Sequence, residues 1–162
     1  GTIKGLELEL EALPIDALRL RASLGLVDAK YTDFITYQGA MTIDASGNRF
    51  YRTPVATSVL AAEYRLPIAR GHALSLGTDW TIRSKVYHNA VVQNDKQQQT
   101  SGYAIGNVEL RYLLGEHFQI QGYIRNVTDN SIKVLSQVVN AGAYPTSLAP
   151  PRTYGVQIIA TL

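Results

Sequence analysis

Three carboxylates at alternate positions, Glu7, Glu9 and Glu11, are followed by two arginines at alternate positions, Arg19 and Arg21. Paired carboxylates can do acid–base work on a substrate. Here the spacing has a plainer reading. Alternation is the period of a strand, and a tight turn over 13–17 would set Glu11 near Arg19 and Glu9 near Arg21, opposite-charge pairs worth about 0.2–1 kcal/mol each. No Ser/His/Asp set, no carboxylate pair at hydrolytic spacing, no HExxH motif and no phosphate-binding loop occurs. Neither an enzyme, a metal site nor a cofactor is expected. The histidines lie apart. His72 and His117 sit at short turns and read as solvated. His88, beside Tyr87 and Asn89, reads either as a ligand contact or as an interfacial ring.

The elements that hold these residues are strands. Leu6, Leu8, Leu10 and Ala12 oppose the glutamates in face, and Leu18, Leu20, Ala22, Leu24 and Leu26 oppose the arginines. A helical stripe would need three- and four-residue spacing instead. The same pattern recurs around Leu60–Leu66, Leu74–Ile82, Val108–Leu114 and Phe118–Ile124. It closes in Arg152–Leu162, where Tyr154, Val156, Ile158, Ala160 and Leu162 share a face. That makes about seven strands joined by alternately short and long connections, the layout of an outer-membrane barrel. The short turns are 13–17, 67–71 and 115–117. The long loops are 32–53, 88–102 and 130–151, and within the last Ile132–Val139 could pair as a short hairpin arm.

The chain has 162 residues, no cysteine and a formal charge of +2 with both signs dispersed, so neither a disulfide framework nor a nucleic-acid footprint is suggested. No apolar run approaches the ~20 residues of a membrane helix, and residues 1–7 lack the pattern of an export signal. Alternation alone does not say which face is outside. Charges packed into a narrow dry interior would each cost several kcal/mol, which favours apolar residues outward and Glu7, Glu9, Glu11, Arg19, Arg21, Arg83, Arg111 and Arg125 inward on a wide wet lumen. Tyr64, Tyr112 and Phe118 lie by the short turns, and Tyr31, Tyr87, Tyr103 and Tyr154 by the long loops, as two interfacial belts would. An odd number of crossings leaves unpaired edges in lipid, so the expectation is one arc of a larger barrel. Two rivals stay open: a small eight-stranded outer-membrane barrel, with its eighth strand hidden in a loop such as Ile132–Val139, and a soluble carrier barrel of the lipocalin type.

At this level the chain resembles the C-terminal third of the barrel of a TonB-dependent outer-membrane receptor. Gly5-Leu6-Glu7-Leu8-Glu9 resembles the family's strand start, and Pro54 with Tyr64 its strand after a long loop. Tyr123-Ile124-Arg125-Asn126-Val127-Thr128-Asp129 resembles the box ending the penultimate strand, and Pro151-Arg152-Thr153-Tyr154 the approach to the last strand. The chain ends in Leu162 where the family usually has Phe. The Asn126–Asp129 box is read as structural. The resemblance implies an all-β, antiparallel up-and-down transmembrane barrel of about 22 strands, of which residues 1–162 are the C-terminal portion, plugged by an N-terminal domain. It implies a bacterial outer-membrane receptor, C-terminus periplasmic and long loops extracellular. Its partners would be outer-membrane lipid, the plug with the remaining barrel, the TonB–ExbB–ExbD system, and an iron–siderophore complex or similar scarce nutrient. The inward charges would then face the plug. Tyr37, Phe50, Tyr51, Tyr87, His88 and Tyr144 would be the loop side chains that meet the ligand.

Overall fold

The computed structural model describes residues 1–93, 95–139 and 143–161. Seven strands form one antiparallel sheet in chain order: β1 (Thr2–Ile15), β2 (Leu18–Lys30), β5 (Ala56–Ala69), β6 (His72–Arg83), β9 (Tyr103–Leu114), β10 (Phe118–Arg125) and β13 (Thr153–Ala160). Each strand neighbours the next, as short connections dictate. Leu162, expected on the apolar face of the last strand, lies outside the described residues.

The strands are longer than their alternation. Residues 13–15 are not turn but strand: β1 continues through Leu13 and Pro14 with a register shift between Ala12 and Ile15, and only Asp16 and Ala17 turn the chain. Likewise β5 runs through Pro67 to Ala69 with a shift between Pro67 and Ala69. Proline lacks the N–H a ladder needs, so it sits where the ladder is already interrupted. These irregularities move the register away from the expected pairing. Glu11 faces Arg21, and Glu9 faces Ser23 rather than Arg21. The contact with Arg19 survives as a diagonal, Arg19 Nε lying 3.5 Å from Glu11 Oε1. Gly71 and Gly115, at φ +78° and +63°, close the other two short turns in the left-handed region that glycine occupies without penalty.

The long connections carry structure of their own. Each holds a two-stranded ribbon: β3 (Ile35–Gln38) with β4 (Met41–Asp44), β7 (Val86–Tyr87) with β8 (Gln99–Thr100), and β11 (Lys133–Ser136) with β12 (Thr146–Leu148). The third is the hairpin expected around Ile132–Val139. Because β11 pairs with β12 outside the main sheet, that stretch is no eighth crossing strand. The antiparallel order puts all three ribbons at one end, where they form a collar. Among the described residues β1 and β13 are the sheet's open edges.

Packing leaves the leucine face of this sheet without a sealed core. Leu8, Leu20, Leu76, Leu110 and Ile158 are 54, 36, 52, 46 and 71% exposed, so the leucine face converges on no oily centre. The buried apolar residues among those described are Ala29, Ala45, Ala73 and Ile132, and none is a large side chain in mid-strand. Ser75, on the opposite face, is 1% exposed. A water-soluble sheet would bury the leucines and expose the serine.

Candidate functional site

Residues opposite one another across a strand pair share a face, so the register carries one face across the sheet. One line runs Glu7, Gly25, Thr57, Arg83, Tyr103, and the next Glu11, Arg21, Ala61, Asp79, Asn107. A third runs Arg19, Glu63, Gly77, Glu109, Tyr123, Gly155, and a fourth Ser75, Arg111, Gln121, Gln157. Every inward-expected charge thus lies on a single face of the sheet.

That face is wired across four strands. Glu63 Oε1 accepts from Ser75 Oγ and from Arg111 Nη2, both at 2.7 Å. The same Nη2 lies 3.2 Å from Glu109 Oε1, and Glu109 Oε2 accepts from Gln121 Nε2 at 2.7 Å. The glutamate side chain crosses over Gly77, where an added Cβ would come within 3.0 Å of it. Tyr123 lies over Gly155 in the same way, so the glycines on this line are the space the neighbouring side chains occupy. Higher up, Asp79 accepts from Asn107 Nδ2 at 2.7 Å and sits 4.0 Å from Arg125 Nη1. Glu7 and Glu9 join no ion pair among the described residues, and Glu11–Arg19 is about half exposed on both sides, where such a pair is worth little. The network is therefore centred on Arg111, whose Nε is buried with no partner among the described residues.

On the opposite face Trp80 and His72 find polar partners within the sheet. Trp80 lies flat on Gly106, where a Cβ would meet the indole at 2.8 Å. Its Nε1 donates to Thr78 Oγ1 (3.0 Å), which donates to the Asn107 carbonyl (2.8 Å). His72, expected as a solvated turn residue, is half-buried with Nδ1 2.6 Å from the Tyr112 hydroxyl. His117, exposed at the next turn, lies with Nδ1 3.1 Å from the Thr161 carbonyl.

Asn126 joins sheet to collar. It sits at φ +51° and is 5% exposed. Its Nδ2 donates to the Asn130 and Pro150 carbonyls, and its Oδ1 accepts from Asn130 N–H and Thr128 Oγ1. Asp129, at φ +53°, accepts from Arg152 Nη2 (2.9 Å), and that guanidinium holds its carboxyl below the usual carboxylate range.

The collar is tied by side chains. Asn48 Nδ2 donates to the Ala90 and Val91 carbonyls, and Arg52 N–H to the Tyr87 carbonyl, which links the first ribbon to the second. Ser136 Oγ donates to the Gln97 carbonyl and Thr100 Oγ1 to the Lys133 carbonyl, linking the second to the third. Thr100 has one proton, spent on Lys133, so His88 Nε2, 2.7 Å away, is the donor in their contact. His88 Nδ1 is then unprotonated, and it is buried without a partner among the described residues. Burial, then the charges of Arg52 and Lys133, push the imidazole below its ordinary value of 6.5.

The six expected ligand-facing residues are not gathered in one place. Tyr37 and Tyr51 are exposed on the first arm. Phe50 is a packing residue, its ring 4.5 Å from that of Tyr31, which also packs on Phe34. Tyr87 lies under Lys85 Nζ at 5.0 Å, beside His88. Tyr144 bonds to Asp95, which raises the phenol's pKa. Ser75, Asn107 and Gln121, the neutral members of the wired face, and Lys96 and Lys133 in the collar were not singled out by sequence. Register lines identify the first three, and no local pattern marks the lysines.

The fold recurs in solved structures. The siderophore receptor PiuA from Acinetobacter baumannii superposes with a TM-score of 0.76 at 18% identity, covering 97% of this chain and 21% of that one. BauA, the ferric preacinetobactin receptor from Acinetobacter baumannii, gives 0.75 at 24%, covering 96% and 21%. FyuA, the ferric yersiniabactin uptake receptor from Yersinia pestis, gives 0.78 at 16%, covering 99% and 23%. This chain thus spans about a fifth of the length of each. The family described as TonB dependent receptor-like, beta-barrel matches residues 1–127. With the sheet, its two unlike faces and that match together, the chain belongs to the TonB-dependent receptor β-barrel family.

Proposed function

We propose that residues 1–162 form one arc, the C-terminal portion, of a plugged outer-membrane barrel that takes up an iron–siderophore complex or similar scarce nutrient. The barrel has about 22 strands, is driven through TonB–ExbB–ExbD, and is a transport receptor and not an enzyme. The observation that carries the reading is the reversal of exposure: large apolar residues open to the surroundings on one face, charged and polar residues joined to one another on the other. An apolar face of this extent must meet lipid or protein, and seven strands in simple up-and-down order fit a lipid-facing wall. The wired face lines a wet lumen, with Glu7, Glu9, Arg19, Arg21 and Arg83 open for contacts with a plug. The C-terminus is periplasmic and the collar extracellular, where Tyr37, Tyr51, Tyr87, His88 and Tyr144 are ligand candidates, with Phe50 supporting them.

Titrating the purified full-length receptor in detergent with ferric complexes of catecholate, hydroxamate and mixed-donor siderophores tests this. We expect saturable binding of at least one, and loss of growth on that iron source when the gene is deleted. A protein that is monomeric and soluble without detergent, and that binds none of them, would overturn the reading.

A further inference from the structure

Between the second and third arms of the collar lies an open cleft of ≈ 380 Å³. Its lining includes Lys96 from a 3-10 turn, Lys133 from β11, Ser101, Ser131 and Tyr103, and among the described residues it contains no carboxylate. Among the described residues neither lysine is in an ion pair. Lys133 Nζ makes one long contact, 3.5 Å, to the Gln97 carbonyl.

The nearby acids are already engaged. Asp95 accepts from Gln97 N–H (2.8 Å) and Gln98 Nε2 (3.0 Å) and bonds to Tyr144. Asp129 is held by Arg152. Thr100 also lines the cleft, but its hydroxyl is committed to Lys133 and His88. The imidazole of His88, behind that threonine, is depressed first by burial and then by the charges of Arg52 and Lys133. Two lysines and three hydroxyls around a wet concavity, with no acid in the lining, make a cradle for negative oxygen.

We propose that this cleft binds a multivalent oxyanion, carboxylate or phosphate, gripped by Lys96 and Lys133 and hydrogen-bonded by Ser101, Ser131 and Tyr103. The biological source of that group rests on the receptor reading: either an anionic ferric complex or the phosphates of an outer-leaflet lipid. The chemistry of the cleft does not rest on it.

The test uses the full-length receptor in a neutral detergent, as wild type, as a Lys96→Gln/Lys133→Gln double variant, and as an Arg70→Gln control at an exposed short turn at the other end of the sheet. Calorimetric titration with inorganic pyrophosphate and with citrate at low ionic strength reads the site itself. The double variant should bind at least about tenfold more weakly, the scale of one lost charge-assisted hydrogen bond, and wild-type affinity should fall as salt is added. The Arg70 control should be unchanged. No binding by the wild type, or equal binding by the double variant, overturns the proposal.

Two further arms identify the source. If a ferric tris-catecholate, which is anionic, loses affinity in the double variant while a neutral ferric tris-hydroxamate does not, the group belongs to cargo. If instead vesicles of phosphatidylcholine bind in a lysine-dependent way only when a bis-phosphorylated lipid is added, it belongs to lipid. Ferric complexes that bind without regard to charge or lysine, with pyrophosphate and citrate also indifferent, leave the receptor reading standing and remove the cleft. Pyrophosphate binding that needs the lysines, in a protein that binds no ferric complex, does the reverse.

Discussion

The sheet and the collar are two ways of holding a chain together. Strands of the sheet run to 14 residues, and each interior strand is paired along both edges. Strands of the collar run two to four, each in a lone pair. A two-stranded ribbon is marginal by itself, so the collar depends on Asn48, Thr100 and Ser136 reaching from one arm to the next. In the sheet the backbone supplies the cohesion and the side chains are free to suit two different surroundings. In the collar the side chains are the cohesion, and what they bind is fixed by individual residues.

That contrast can be broken most severely on the leucine face. Leu110→Arg, in mid-strand, should lower the unfolding free energy of the full-length receptor in vesicles by about 2–4 kcal/mol, as a charge placed against hydrocarbon does. A loss within experimental error would mean that this face is not against lipid. Asn126→Ala attacks the joint between the regions. It strands the Asn130 and Pro150 carbonyls and puts a Cβ without a polar partner at φ +51°, at a cost of roughly 2–3 kcal/mol. Asn126→Gly separates the two causes, since it relieves the backbone and still loses the bonds. On the wired face, Arg111→Met should cost roughly 1–2 kcal/mol, low in the range for bonds to charged groups because the Arg111 and Glu63 side chains stay partly exposed. A double-mutant cycle with Glu63→Gln should show coupling between the two.

Acid should loosen the collar before the sheet. The folded state disfavours protonated His88, so the unfolded chain binds more protons once the pH drops below the ordinary imidazole value of 6.5. Stability from this group is full above that value and declines as pH falls below it, levelling off under the depressed folded value. Asp129 adds a second loss at lower pH. Its folded pKa lies below 3.8, so its contribution holds above that value and disappears as pH falls through the folded one. Hydrogen-exchange protection factors at the amides of His88 and Arg52, bonded to the Gln98 and Tyr87 carbonyls, corrected for the intrinsic pH dependence of exchange, should fall between pH 7.5 and pH 5.5 while those of β6 amides do not. The smallest effect is expected at the collar's outside: Val134→Ser, at an exposed position, should change stability by less than about 0.5 kcal/mol.

The same contrast governs what could be read from the residues alone. Alternation gives the strands, their order and the residues of each face, because a strand's period is a property of the backbone. It does not give register, since the bulges at Leu13–Pro14 and Pro67–Ile68 are set by where proline can sit in a ladder, and each displaces every later pair. The Glu9–Arg21 pairing failed for that reason. Collar residues follow no period. Lys96 and Lys133 are 37 positions apart and share a cleft only because Ser136 and Thr100 fold the third arm on the second. Phe50 shows another side of this: its ring packs on Tyr31, a contact that no spacing in the sequence announces.

The central claim is which way the two faces look, and side-chain accessibility in lipid tests it most directly. This chain contains no cysteine, so within it spin labels can be placed singly at Leu74, Leu76, Leu110, Glu9, Arg21 and Arg83, in a full-length receptor in bilayers freed of any cysteine elsewhere. Collision with oxygen, which concentrates in hydrocarbon, should be high at Leu74, Leu76 and Leu110. Collision with a water-soluble nickel chelate should be the greater at Glu9, Arg21 and Arg83, which are exposed on the other face. The opposite alternation, or labels at all six positions equally open to the chelate, would contradict the account.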